Sequence, residues 1–371
     1  MLEASGLLPQ SCKLDIGALS RLFDDTTNSY KHLFFEALLE AFREGGFTER
    51  VFQLEDLAIG MLVAAWYPSR VFHLTLGSRD QVSEILAGLK IDEDGAIASS
   101  QLKAILKLSN PDYQKLMRFV PYRLIAPFFA HQLRGTPDHR RHAIIRSLAD
   151  ELFETTRPLY RFASADKIEL HPDWVTYLAA NFPIVTAWAE RRWIAFLQAR
   201  NPTVPAVSEK TRRPEQRNAL TNQIRYWKKI ISAKSTPLRC LYSGNLLDIS
   251  CFHLDHFLPW TFVCHDAIWN LLPVSPEANL SKGNRLPHSS YIPALAAAQH
   301  EGLTIARRVM HLDEWEIMTA SFIGDLRIPQ GKLIDSRALL DAYDQLVGAQ
   351  LSIAQAIGFE GGWRYTTRRS V

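Results

Sequence analysis

The sequence predicts a mainly helical α+β protein, and three observations predict it. Apolar residues recur at helical spacing through most of the first 200 positions. A proline-rich, basic stretch at 201–218 breaks that pattern. After residue 285 helical spacing resumes. Between break and resumption lies "HLDHFLPWTFVCHDAIWNLLPVSPEANLSKGNR" (253–285), where apolar residues enclose two adjacent ionisable ones, Asp255 and His256.

The 371 residues suffice for two ordinary domains or one large one. A hydrophobic content of 47% with 22% charged residues is that of a soluble globular chain. Four cysteines (Cys12, Cys240, Cys251, Cys264) with no C-x-x-C pair exclude a disulfide scaffold and point to a reducing, cytoplasmic setting. The start "MLEASGLLPQSCKLD" lacks the basic and apolar segments of a signal peptide. The longest apolar run, "AIGMLVAAWY", is too short to cross a bilayer, so no membrane partner is expected.

Taken in order, the first helix is expected from Tyr30 to Phe42, where Leu33, Phe34, Ala37, Leu38 and Ala41 repeat at helical spacing. "DDTTNS" before it supplies capping residue types and "GG" after it a stop. Helical patterns follow at 55–66, 80–89, 139–155 and 173–199. "YPSRVFHLTLG" reads as a short strand or an extended link, and "DHRRH" (138–142) as an exposed basic loop. From 206 to 239 nine basic residues face two acidic ones, an excess of +7 against +3 for the whole chain. Within it, "ALTNQIRYWKKIISAK" reads as a basic helix with Ile224, Trp227 and Ile231 on one face. Helices are expected again at 291–308, 312–323 and 335–356, before the basic end "RYTTRRS". The domains expected are therefore 1–200, a basic linker and helix at 201–239, a core at 240–288, and C-terminal helices at 289–371 packing on that core.

The chemistry concentrates at 253–285. A carboxylate directly before a histidine on a strand places the two side chains on opposite faces, one free to meet a metal and the other a substrate. Asp255 can offer a carboxylate oxygen and Asn279 an amide oxygen to a hard cation such as Mg²⁺. His256 can take a proton from an attacking water, as histidine commonly does in catalysis. Lys282 can contact a phosphate.

"LDHFLPW", "WNLLPVS" and "NLSKGNRLP" together resemble the HNH nuclease family, whose fold is a two-stranded hairpin and a helix gripping one metal ion. The spacing, fourteen residues from His256 to Asn270 and nine from Asn270 to Asn279, is similar to that of the HNH domain of CRISPR RNA-guided nucleases. The resemblance makes His256, Asn270 and Asn279 the candidate catalytic positions. It implies His256 as general base, Asp255 and Asn279 as ligands to Mg²⁺ or Mn²⁺, and Asn270 as a tie across the long loop. It also implies a ββα-metal core wrapped by C-terminal helices. One departure matters. Many HNH proteins brace this core with a four-cysteine zinc knuckle, but here Ser243, Ser275 and Ala278 stand at three of the positions and only Cys240 remains. One thiolate cannot hold a structural zinc, so Trp260, Phe262, Trp269, Leu271 and Leu272 are expected to brace the core instead.

Each residue also has a plainer reading. Asp255–His256 can be a satisfied core pair, Asn279 a helix cap, Lys282 a solvated lysine and the basic stretch a solvated linker. Tyr226 and Trp227 can stack on bases or bury, His253 can be a third ligand, and His265 a cap or a substrate contact. The nucleic-acid contacts expected are Lys282, Arg225, Lys228 and Lys229, against DNA first. An RNA-cleaving enzyme and a non-catalytic nucleic-acid-binding module are the alternatives. One metal site cuts one strand, so double-strand cleavage implies a homo-oligomer. By resemblance, a regulatory or defence partner and a role in bacterial restriction or anti-phage defence are expected.

Overall fold

The computed structural model describes residues 8–89, 97–109, 113–213 and 219–366. Arg217 in the basic stretch, and Arg368 and Arg369 near the end, lie outside these. The chain divides into two compact units, Met1–Pro202 with Val207–Arg213, and Thr203–Ala206 with Pro214–Val371.

The first unit contains α1 (Ile16–Ser20), α2 (Tyr30–Glu44), β1 (Val51–Gln53), α3 (Leu54–Trp66), α4 (Gln81–Ala87), α5 (Ser99–Ser109), α6 (Gln114–Met117), α7 (Val120–Ile125), α8 (Asp138–Glu151), β2 (Tyr160–Phe162), β3 (Lys167–Leu170) and α9 (Pro172–Arg200). Helix α2 buries Leu33, Phe34, Ala37, Leu38 and Phe42, the stripe its periodicity marks. It stops at Gly45, and Gly46 takes the left-handed φ of 64° that glycine alone adopts freely. Asp80 caps α4, accepting the Val82 N–H at 3.0 Å. Helices α2 and α3 approach closely at Gly60, where a Cβ would stand 2.8 Å from that of Ala37. Helix α9 kinks at Asn181, two residues before Pro183, as expected where proline clashes with the preceding turn.

Three local expectations give way in this unit. Residues 51–53, 160–162 and 167–170 form an antiparallel sheet in the order β1-β3-β2. Strands this short offer too few alternations to declare themselves against the helical background. Of "YPSRVFHLTLG", the first half is a π-helical turn, Tyr67–Val71, continuing α3, and residues 72–77 are a link without regular structure. "DHRRH" is not a loop but the first turns of α8.

The second unit contains α10 (Thr221–Ala233), β4 (His253–His256), α11 (Trp260–Val263), β5 (Leu271–Val274), α12 (Pro276–Lys282), α13 (Ile292–Val309), α14 (Leu312–Gly324) and α15 (Ser336–Ala356). One hydrophobic cluster joins α10, the β4–β5 hairpin, α12 and the C-terminal helices. The hairpin is thus wrapped by helices, and the protein is mainly helical α+β. Gln299 of α13, fully buried, donates to the Ile268 and Leu271 carbonyls at 3.0 and 2.8 Å. Tyr343 of α15 donates to the Trp269 carbonyl at 2.7 Å. Phe262, Trp269, Leu271 and Leu272 are buried as the brace requires, whereas Trp260 is only half-buried.

Helix α10 buries Tyr226, Trp227 and Ile230, and leaves Ile224 38% exposed. The expected face through Ile224 and Ile231 is therefore rotated, because the adjacent rings of Tyr226 and Trp227 dominate the area to be buried. Trp227 lies over Gly302, where a Cβ would meet its ring at 3.3 Å. Both aromatic residues are core residues, not stacking platforms. Among the described residues no helix is long and apolar enough to cross a membrane.

Candidate active site

Strands β4 and β5 pair antiparallel with His253 opposite Val274, Asp255 opposite Leu272 and His256 opposite Leu271. Alternation puts His253 and Asp255 on one face and His256 on the other. Helix α12 follows β5 directly. Ser275 caps it, its hydroxyl accepting the Ala278 N–H, and Pro276 fills the first turn, where its missing N–H costs nothing. This helix presents Asn279 and Lys282, three residues apart, towards β4.

Asp255 is 3% exposed, and both its oxygens are engaged. Tyr242 donates its hydroxyl to Oδ2 at 2.7 Å, and Lys282 donates Nζ–H to Oδ1 at 3.0 Å. The same ammonium, itself 1% exposed, donates to the His256 carbonyl at 2.7 Å. Burial and the Asp255 charge push the Tyr242 phenol well above its usual pKa, so it remains a donor. Lys282 is therefore the counter-ion of Asp255. The expectation of a phosphate contact gives way, because an enclosed ammonium with two bonds has no access to a substrate phosphate.

Asn279, on the same side, makes no hydrogen bond to Asp255 among the described residues. Its amide meets the exposed His253, Nδ2 to Nδ1 at 3.2 Å. The chemistry of this face, a carboxylate, an amide and an imidazole, suits a divalent cation completed by water. Among the described residues no group of three His, Cys, Asp or Glu forms a metal cluster. An ion would thus lean on Asp255 and Asn279, with His253 beside them, and would reach Oδ1 only with Lys282 withdrawn.

On the opposite face, His256 is held from one side. Its Nε2 lies 2.8 Å from Oδ1 of Asp266. A carboxylate can only accept, so this bond places the proton on Nε2 and leaves the Nδ1 lone pair as the basic site. Nδ1 has no partner among the described residues. Asp266 was not anticipated. It stands in the loop "CHDA", where nothing in the sequence separates it from an ordinary loop acid.

Asn270 is fully buried, and its amide is consumed by backbone. Oδ1 accepts the Leu258 N–H and Nδ2 donates to the Leu258 carbonyl, each at 2.9 Å. The Asn270 carbonyl also accepts the Phe257 N–H at 2.8 Å. It ties the two ends of the long loop, and its side-chain amide is spent on the Leu258 backbone. His265 accepts the Ala267 N–H through Nδ1 at 3.3 Å, a capping role, and burial lowers its pKa.

The knuckle positions cluster without sulfur. The Cys240 thiol accepts the Ser275 N–H at 3.4 Å, and hydrogen bonds from Ser243, Ser275 and Tyr242 outweigh burial to lower its pKa. Much of the basic excess is neutralised locally. Lys229 pairs with both Glu314 oxygens at 2.6 Å, Lys234 with Glu301 at 2.7 Å, and Arg212 with Glu190. Arg225 and Lys228 remain exposed on α10, whose Gln223 donates to the Asp266 carbonyl at 3.1 Å. The exposed cations thus lie on a helix that begins beside His256.

Residues 240–288 match the family model described as HNH endonuclease. No curated protein and no solved structure matches the chain.

Proposed function

We propose that this chain, whose residues 240–288 match the HNH endonuclease model, is a metal-dependent endonuclease hydrolysing phosphodiester bonds in DNA. Nuclease activity on nucleic acid is the family's chemistry. The finer reading rests above all on His256, whose Asp266 bond leaves Nδ1 as a fixed base. Nδ1 takes a proton from a water as that water adds to phosphorus. The bond from phosphorus to the leaving oxygen breaks, and that oxygen is protonated from solvent. The Asp266 carboxylate stabilises the imidazolium so formed. A divalent ion held by Asp255 and Asn279 would supply charge stabilisation at the scissile phosphate. Asn270 keeps the backbone after His256 in place. Arg225 and Lys228 hold the phosphate backbone along α10, a contact weakened by salt.

The purified protein, incubated with DNA and with RNA in Mg²⁺ or in EDTA, tests this reading. Cleavage of DNA in Mg²⁺ and none in EDTA is expected. Cleavage of RNA alone makes it a ribonuclease. Binding without cleavage of either makes it a binding module. A role in restriction or anti-phage defence belongs to the same proposal, supported by the resemblance to standalone bacterial HNH proteins. A phage challenge of cells carrying the wild type or His256→Ala tests it.

A further inference from the structure

The first unit encloses a cavity of about 800 Å³ between α2, α3 and α9. That is the size of an ordinary small-molecule site, roughly 300–1,000 Å³. Leu57, Val63 and Phe182 give it an apolar floor. Helix α2 contributes His32, Glu36 and Glu40, four residues apart and so on one stripe. Helix α9 contributes Thr186, Glu190 and Trp193.

Most wall charges are already matched. Glu40 pairs with Arg43 at 2.9 Å, Glu190 with Arg212, Glu44 with Lys103 at 2.6 Å, and Asp56 with Lys107 at 2.8 Å. Glu36 has no hydrogen-bond partner among the described residues. Three further wall residues each carry a buried polar atom with no partner: Trp193 Nε1, His32 Nδ1 and Thr186 Oγ1. Trp193 and His32 are only 3% and 4% exposed. Those three atoms are sealed from the void, so the unpaired group that lines it is the half-buried Glu36 carboxyl, a charge that a ligand in the cavity can meet. Because burial holds the His32 imidazole at about 3, it is neutral and gives Glu36 no cation.

We propose that this cavity binds a small organic cation, an amidinium or primary ammonium on a flat apolar body, with its charged head on the Glu36 carboxylate. The body lies on the apolar floor of Leu57, Val63 and Phe182. Burial raises the Glu36 carboxyl to about 7, against the pull of Arg212 and with the push of Glu190 and Glu40. Binding a cation therefore expels the Glu36 proton near neutral pH.

The test is calorimetric titration of the full chain with benzamidine, its neutral isostere benzamide, and benzoate, at pH 8 and pH 6. At pH 8 benzamidine is expected to bind at least about tenfold tighter than benzamide, and benzoate more weakly than either. The benzamidine affinity is expected to fall about tenfold at pH 6, as Glu36 is protonated. Glu36→Gln, near-isosteric and relieved of a buried charge, should remove both the preference and the pH dependence. No benzamidine binding at millimolar concentration, equal binding of benzamide, or a preference surviving in Glu36→Gln overturns the proposal.

Discussion

Asp255 in the hairpin unit, 3% exposed, and Glu36 in the helical unit, half-buried against a cavity, are two carboxyl groups with opposite surroundings. Asp255 has an ammonium on one oxygen and a phenol on the other. Glu36 has neither, and burial holds it at about 7. A buried carboxylate with matched partners is a fixed part of the fold, and its charge is available only to a cation that displaces the partner. A buried carboxyl without partners is a cost to folding that a ligand can offset. The difference separates a prepared cation site from a waiting one.

The contrast predicts a graded set of outcomes. The largest belongs to Lys282→Met, which leaves Asp255 buried without its counter-ion. Breaking such a pair costs roughly 3–5 kcal/mol, so a large drop in thermal stability is expected in EDTA. Mg²⁺ should restore part of it, and Asp255→Asn added to Lys282→Met should lose less than Lys282→Met alone. The next concerns Glu36, whose carboxyl is raised from the ordinary value of 4.5 to about 7. A raised carboxyl contributes stability below its unfolded pKa and loses it as pH rises through the folded one. The wild type should therefore match Glu36→Gln near pH 4 and fall below it by up to about 3 kcal/mol at pH 8. Unfolding of both proteins across that range checks the sign. The smallest is Tyr242→Phe, which removes one bond to Asp255 and should cost about 1–3 kcal/mol in denaturant unfolding.

The family segment was legible because its signal is local. Asp255, His256, Asn270 and Asn279 fall within 25 residues at characteristic intervals. The long helices were legible for the same reason, since periodicity and caps lie along the chain. What the residues touch was not. The pairing of Lys282 with Asp255 depends on how α12 packs against β4, and a lysine in "LSKGN" reads as solvated. Tyr242, Gln299 and Tyr343 act across 13 to 74 positions, where sequence carries no signal of contact. The basic run read as a uniform patch because Glu190, Glu301 and Glu314, which neutralise much of it, lie outside it. Glu36 reads as the polar side of an amphipathic helix, and only the packing of α9 and α3 around it makes it unusual.

The central claim is that His256 is the base of a phosphodiester hydrolysis, and single-turnover cleavage of DNA in saturating Mg²⁺ tests it most directly. His256→Ala should fold and bind DNA as the wild type does, yet cleave about 10²–10⁴-fold more slowly. Asp266→Asn should fall between the two. Cleavage by His256→Ala at the wild-type rate would contradict the assignment.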